Sequence, residues 1–417
     1  MKEKVENMGN ILLKNANVFN GKVNQIKSYG YVYIQDNRIL CLEDNEIFDF
    51  IPDIVIDLKD KFLMPGLIDA HVHLSSAASV DLANDNISSD FMAIESLQAA
   101  EESLLRGFTT LRDAGGAGYG IAQALEKRKA TTPRLFYSGK ALSATGGHGD
   151  FRGTSESKLC SCQVSSSNIS IICDGVPEAL KATREQLREG ATQIKIMAAG
   201  GIASPTDKIT NLQFSDDEIL AIVDEAKRNG TYVMAHAYTP EALIRCVKLG
   251  VRSLEHANLL DEEAAKFIFE NNAFIVPTLA IYEALYLHGK EFNTPDHVLE
   301  KLGGVRTNSL EAIKIAHSYN VNVGFGTDLL GGLMKYQNTE FKIRSQVETP
   351  FQTLYSATYK NAELLNMTDK LGVIKPDAFA DIIVLEGNPL EDINLLANPN
   401  ENIKLIIKDG NIVKNIL

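Results

Sequence analysis

The chain has 417 residues, of which 45% are hydrophobic and 23% charged, an ordinary globular balance able to bury a large core. Its 54 acidic against 41 basic side chains leave a formal charge of −13, which argues against nucleic acid or an anionic membrane surface as a partner. No run approaches the roughly 18 uninterrupted apolar residues of a membrane helix, the first residues lack the apolar core of a signal sequence, and five cysteines make an odd count for a disulfide framework, so a cytoplasmic protein is expected. From the N-terminus, β-rich runs at 11–19, 31–35 and 38–41 are separated by Asn20-Gly21 and Asp36-Asn37, which reads as hairpins. Between about 66 and 369, strand-like runs at 67–71, 109–112, 134–138, 193–197, 232–236, 253–256, 274–277 and 321–325 alternate with amphipathic segments such as 216–229 and 262–271. These segments stop close to Gly or Asn, as helices do. A Ser-rich stretch from about 149 to 175 breaks the rhythm and reads as a lid-like insertion. It holds Cys160, Cys162 and Cys173, whose spacing matches no closed tetrahedral metal site, so free thiols in a loop are expected. Beyond it, 381–385 and 403–413 repeat the β grammar, with Asp409-Gly410 as a hairpin turn.

Eight alternating strand–helix units predict an α/β chain. The expectation is a (β/α)8 TIM barrel over 66–369, with a small β-sandwich domain assembled from 1–65 and 370–417. In such a barrel, catalytic residues sit at the C-terminal ends of the strands. That is where the conspicuous polar residues fall. His71 and His73 are two apart, so on a strand both face one way and could grip one cation. Lys195 interrupts an almost wholly apolar run, while His236, His256 and Asp328 close the fifth, sixth and eighth runs. Each has a bland alternative. A lone strand-end His is more often hydrogen-bonded structure, Asp328 could cap a helix, and Lys195 could lay a buried stem beneath a carboxylate. Six such residues at the strand ends of one barrel are hard to read as separate accidents.

The pattern closely resembles the amidohydrolase superfamily over nearly the whole chain. The P-G-x-I-D-x-H-x-H opening is present as Pro65-Gly66-Leu67-Ile68-Asp69-Ala70-His71-Val72-His73, and the strand-four lysine of binuclear members matches Lys195. The resemblance implies that His71, His73 and Asp328 bind one divalent ion, His236 and His256 a second, and Lys195, carboxylated on Nζ, bridges them. Two cations held close together repel, and a bridging anion relieves that repulsion. The mix of imidazole and oxygen ligands favours zinc, though other divalent ions also fit. It further implies attack on an amide by a hydroxide shared between the ions, with Asp328 carrying the proton to the leaving amine.

Further motifs narrow the resemblance: Thr145-Gly146-Gly147-His148-Gly149-Asp150, His236-Ala237-Tyr238-Thr239-Pro240, the stretch 250–258, Pro277-Thr278-Leu279 with Tyr282, and the stretch 324–331. Together they resemble the dipeptidase and carboxypeptidase group allied to imidazolonepropionase-like proteins, and within it the Xaa-Pro dipeptidases, or prolidases. By that resemblance His148 donates to the substrate carbonyl as charge develops, and Tyr238 binds substrate oxygens. A dipeptide carboxylate also needs a donor partner, for which Arg112 and Arg252 are the candidates. Either could instead pair structurally with a neighbour such as Asp113 or Glu255. The expected partner is a small molecule or dipeptide, and an assembly of identical copies stays open. Competing readings are a dipeptidase for another C-terminal residue, an N-acyl amino acid amidohydrolase, a cyclic amide hydrolase, and a non-catalytic binding barrel.

Overall fold

The computed structural model describes residues 9–47, 49–82, 87–155 and 169–417. Cys160, Cys162 and the middle of the expected 149–175 insertion lie outside these residues. Both termini contribute to one eight-stranded sheet: Ile11–Phe19, Ile26–Gln35, Arg38–Glu43, Ile54–Asp57 and Phe62–Pro65 join Ile382–Leu385, Ile403–Lys408 and Asn411–Asn415. The last two form the hairpin read from Asp409-Gly410, whose φ angles of 53° and 77° are those a tight primed turn requires. The run Ile382-Ile383-Val384-Leu385 is apolar throughout because both faces of the sheet are covered. Ile382 and Val384 pack on one side with Leu63 and Leu405, and Ile383 and Leu385 on the other with Leu67 and Phe108.

Phe62–Pro65 lies inside this sheet, antiparallel to Ile382–Leu385 and parallel to Ile11–Phe19. One residue later the chain starts Leu67–Val72, the first of the parallel strands, and the Gly66 N–H between them donates to the Asp381 carbonyl at 2.8 Å. All eight expected runs contain a strand. Leu67–Val72, Phe108–Asp113 and Arg134–Tyr137 make one parallel sheet, and Ile194–Met197, Val233–Ala237, Ser253–His256, Phe274–Val276 and Asn322–Val323 belong to a second. Backbone hydrogen bonds run between the two sheets at both edges. Thr192 N–H donates to the Tyr137 carbonyl and Ala70 N–H to the Phe325 carbonyl, each at 2.8 Å.

Helices separate the strands, with local chemistry that fixes their ends. Ser215 and Glu218 form a capping box on Asp216–Arg228, Thr239 caps Pro240–Lys248 with proline at the first turn, and Asp261 caps Glu262–Glu270. Two features depart from the sequence reading. Ala141–Ser143 and Ser170–Ile172 are extra parallel strands on the edge of the second sheet, so the expected insertion contains regular structure and closes before 175. The last expected run shortens to Asn322–Val323, because the Asn361 side chain replaces a strand partner there. It accepts from Phe325 N–H at 3.1 Å and donates to the Ile68 and Phe325 carbonyls at 2.7 and 2.8 Å. Among the described residues no helix is long and apolar enough to cross a membrane.

Candidate active site

Strand register gathers the polar residues at one end of the parallel sheets. Met197 pairs with His236 and Ala237 with His256, which sets Lys195, His236 and His256 on neighbouring strands. Asp328 follows the short last strand, and its N–H donates to the His71 carbonyl at 2.8 Å. Its Oδ1 lies 3.4 Å from His71 Nε2 and 3.2 Å from His73 Nε2, and its Oδ2 3.8 Å from His256 Nδ1. Ring centroids are 4.9 Å apart for His71 and His256 and 4.7 Å for His236 and His256. His256 and Asp328 both hold left-handed backbone, at φ 75° and 57°, a strained state that clusters at functional sites. His71, His73, His148, Lys195, His236, Tyr238, His256 and Asp328 all line one cavity of about 310 Å³.

The imidazoles are oriented from behind. His71 Nδ1 donates to Glu255 Oε2 at 2.6 Å, and His73 Nδ1 to the Gly115 carbonyl at 2.8 Å. His236 Nε2 donates to the Gly200 carbonyl at 3.2 Å, and His256 Nδ1 lies 2.8 Å from Thr278 Oγ1. The Gly115 turn is in turn built by Asp113, whose carboxylate accepts from the N–H groups of Leu74, Gly115 and Ala117. Tying one ring nitrogen to a polar group is how proteins fix a histidine that uses its other nitrogen on a metal. Among the described residues, His71 Nε2 is buried without a hydrogen-bond partner, and donor atoms of His71, His256 and Asp328 lie within 4.8 Å of one another. This donor set fits a divalent cation.

Burial shapes the protonation states. It pushes the His236 and His256 imidazoles well below their ordinary values, which keeps them neutral, the form that can bind a cation. Burial also lowers the Lys195 ammonium to about 8, against the opposing pull of Glu255 and Asp328. The same desolvation lowers His148 to about 4.

Elsewhere in the cavity, the His148 ring stacks on His236 at 4.0 Å, and Tyr282 Oη donates to Tyr238 Oη at 3.2 Å. The rest of the cavity wall is mainly apolar, with Val80, Phe151, Ile202, Ile281, Leu285 and Leu330. The structure does not bring Arg112 or Arg252 to this cavity, which corrects the substrate-binding role expected of them. Arg112 is fully buried and committed to the Ala70 carbonyl, Ser253 and both oxygens of Glu255. Arg252 binds Asn366 and the Glu363 carbonyl and stacks over Tyr232 and Phe274. Cys173 is buried, and burial pushes its thiol up to about 12, so it is held as the thiol. Glu255 is the functional residue that sequence reasoning undervalued. Its signal was a carboxylate directly before the strand-ending His256, in the buried strand Ser253–His256.

The amidohydrolase family model matches residues 62–413. A curated ochratoxinase from Aspergillus niger is 32% identical over 367 residues, covering 84% of this chain and 75% of that protein. Among solved structures, a prolidase complexed with N-methylphosphonate-L-proline is 44% identical, with a TM-score of 0.93 over 97% of this chain and 100% of that one. A Xaa-Pro dipeptidase with methionine bound in its active site is 31% identical, with a TM-score of 0.87 over 97% and 100% of the two chains.

Proposed function

The chain belongs to the amidohydrolase family, and on that footing we propose that it is a binuclear metal-dependent dipeptidase that cleaves Xaa-Pro dipeptides. The convergence of His71, His73, Lys195, His236, His256 and Asp328 on one cavity carries this reading. We read the two parallel sheets as one closed (β/α)8 barrel over 66–369, with the β-sandwich drawn from 1–65 and 370–417. The hydrogen bonds at both sheet edges support that closure.

In this reading His71, His73 and Asp328 hold one ion, His236 and His256 hold the other, and Lys195 bridges them as its Nζ-carbamate. Zinc suits the mix of imidazole and oxygen donors. Bound, the metal pair supplies Lewis-acid polarisation of the scissile carbonyl and activates water at neutral pH. Lys195 forms the carbamate by attack of its neutral amine on carbon dioxide with release of a proton, and its lowered ammonium supports this step. Asp328 takes the proton of the attacking water and returns it to the departing nitrogen, so that the C–N bond breaks with a neutral amine leaving. His148 and Tyr238 meet the substrate's oxygens from the cavity wall.

The apolar wall favours a second reading, an N-acyl amino acid or related amide with a bulky apolar acyl group, and the ochratoxinase relative is consistent with it. A panel of Xaa-Pro, Xaa-Arg and Xaa-hydrophobic dipeptides with N-acyl amino acids separates the two. Hydrolysis of other members without Xaa-Pro would remove the prolidase assignment. Metal analysis is expected to give about two ions per chain, one for each ligand group, and Lys195→Ala to lose both metal and activity. Retention of full activity by that variant would remove the carbamate.

A further inference from the structure

Behind His148 lies a buried polar chain that no expectation included. His148 Nδ1 is 2.9 Å from Ser204 Oγ, and Ser204 is fully buried. Ser204 Oγ donates in turn to Asp207 Oδ1. Among the described residues, every other hydrogen bond of the Asp207 side chain comes from a donor. Gln213 Nε2 donates to Oδ2 at 2.8 Å, Gly201 N–H to Oδ2 at 3.3 Å, and Lys301 Nζ to Oδ1 at 3.3 Å. Lys301 also donates to the carbonyls of Gly201, Ser204 and Asp207, which pins the loop as a unit.

A count of protons gives this chain a direction. A carboxylate surrounded by donors accepts at both oxygens, so the single Ser204 hydroxyl proton points to Asp207. Ser204 Oγ then has only lone pairs left for the imidazole, and Nδ1 must carry the hydrogen that bonds it. We propose that Asp207, acting through Ser204, is a positioning residue that commits the His148 Nδ1–H and leaves Nε2 as the nitrogen that meets the substrate. Resting neutral, that nitrogen accepts. That acceptor differs from the donor role that the resemblance implies for His148. The loop's shape agrees with a fixed ring, because a Cβ on Gly201 would lie 2.2 Å from His148 Cε1 and 2.4 Å from Nδ1.

The inference rests on the hydrolase reading only where His148 touches substrate, and its first test needs none. In ¹⁵N-histidine-labelled holoprotein, with His148 assigned by its loss in His148→Asn, Nδ1 is expected in the protonated, pyrrole-type range. Asp207→Asn and Ser204→Ala should each move His148 toward the other tautomer. A protonated Nε2 with a bare Nδ1 in the wild type overturns the proposal. The second test is a double-mutant cycle in kcat/KM on the best substrate of the panel above. Asp207→Asn alone should cost about 10- to 100-fold, as loss of an outer orienting group commonly does, yet cost almost nothing in the His148→Asn background. Losses that multiply would show that Asp207 acts elsewhere and would also overturn the proposal. If no panel member is cleaved, the substrate reading fails by itself, and the tautomer measurement still decides the relay.

Discussion

Glu255 Oε2 lies 2.6 Å from His71 Nδ1, and the same carboxylate receives Arg112 Nη2 at 3.0 and 2.9 Å. All three side chains are fully buried. Burial opposes ionisation of Glu255, but Arg112 and His71 hold its carboxyl well below the usual range. The carboxylate thus neutralises a guanidinium on one side and orients an imidazole on the other.

Glu255→Gln tests that double duty. The amide keeps the shape but removes the charge, so Arg112 is left uncompensated and His71 loses its strongest acceptor. Metal affinity or kcat/KM should fall by about 10- to 100-fold, and stability by about 3 kcal/mol. Metal content after dialysis, steady-state rates and thermal unfolding check it. Unchanged metal content with unchanged activity would remove the orienting role.

Gly201→Ala probes the loop beside His148. The added methyl must displace the ring, which Ser204 holds in place. Activity should drop at least about tenfold, because misplaced catalytic groups cost that much or more. Metal content should stay at the wild-type level, since the three atoms nearest that methyl all belong to His148 and none to a proposed ligand. Loss of metal together with activity would mean that the loop supports the ligands instead.

A pH-dependent prediction comes from a network away from the cavity. Glu348 is buried, accepts from His317 Nε2 at 2.7 Å and Thr353 Oγ1 at 2.7 Å, and lies 3.5 Å from Arg344. Burial works against its ionisation, yet Arg344 and His317 hold it below its ordinary value of 4.5. A depressed carboxylate contributes stability that is present above that ordinary value and lost as pH falls through the folded-state value. Glu348→Gln should therefore cost about 3 kcal/mol near neutrality, and the gap to wild type should narrow in acid, below about pH 4.5. Melting temperatures of both proteins across that range check it. A gap independent of pH would assign the cost to packing.

The parts of this architecture that could be read from sequence were those carried by local signals. His71 and His73 declare themselves by spacing, and Lys195 by being charged inside an apolar strand. The terminal hairpin declares itself by Asp409-Gly410. Arg112 was ambiguous because its partner Glu255 is 143 residues away, and which buried arginine meets which buried carboxylate depends on strand order. Ser204 and Asp207 lie in a loop with no periodicity, so nothing local marks them as the support of His148. Asn361 was invisible for a related reason. An asparagine that replaces a strand partner leaves no strand-like pattern of its own.

The placement of Phe62–Pro65 has a consequence in time. This strand, one glycine ahead of the strand that bears His71, is flanked by Ile382–Leu385, which the ribosome makes long after it. Contacts so distant in sequence form late and slow a fold. His71 emerges long before the strand that completes the sheet beside Phe62–Pro65. The nascent chain therefore passes through a stage in which His71 is present but the sheet behind its strand is not yet assembled.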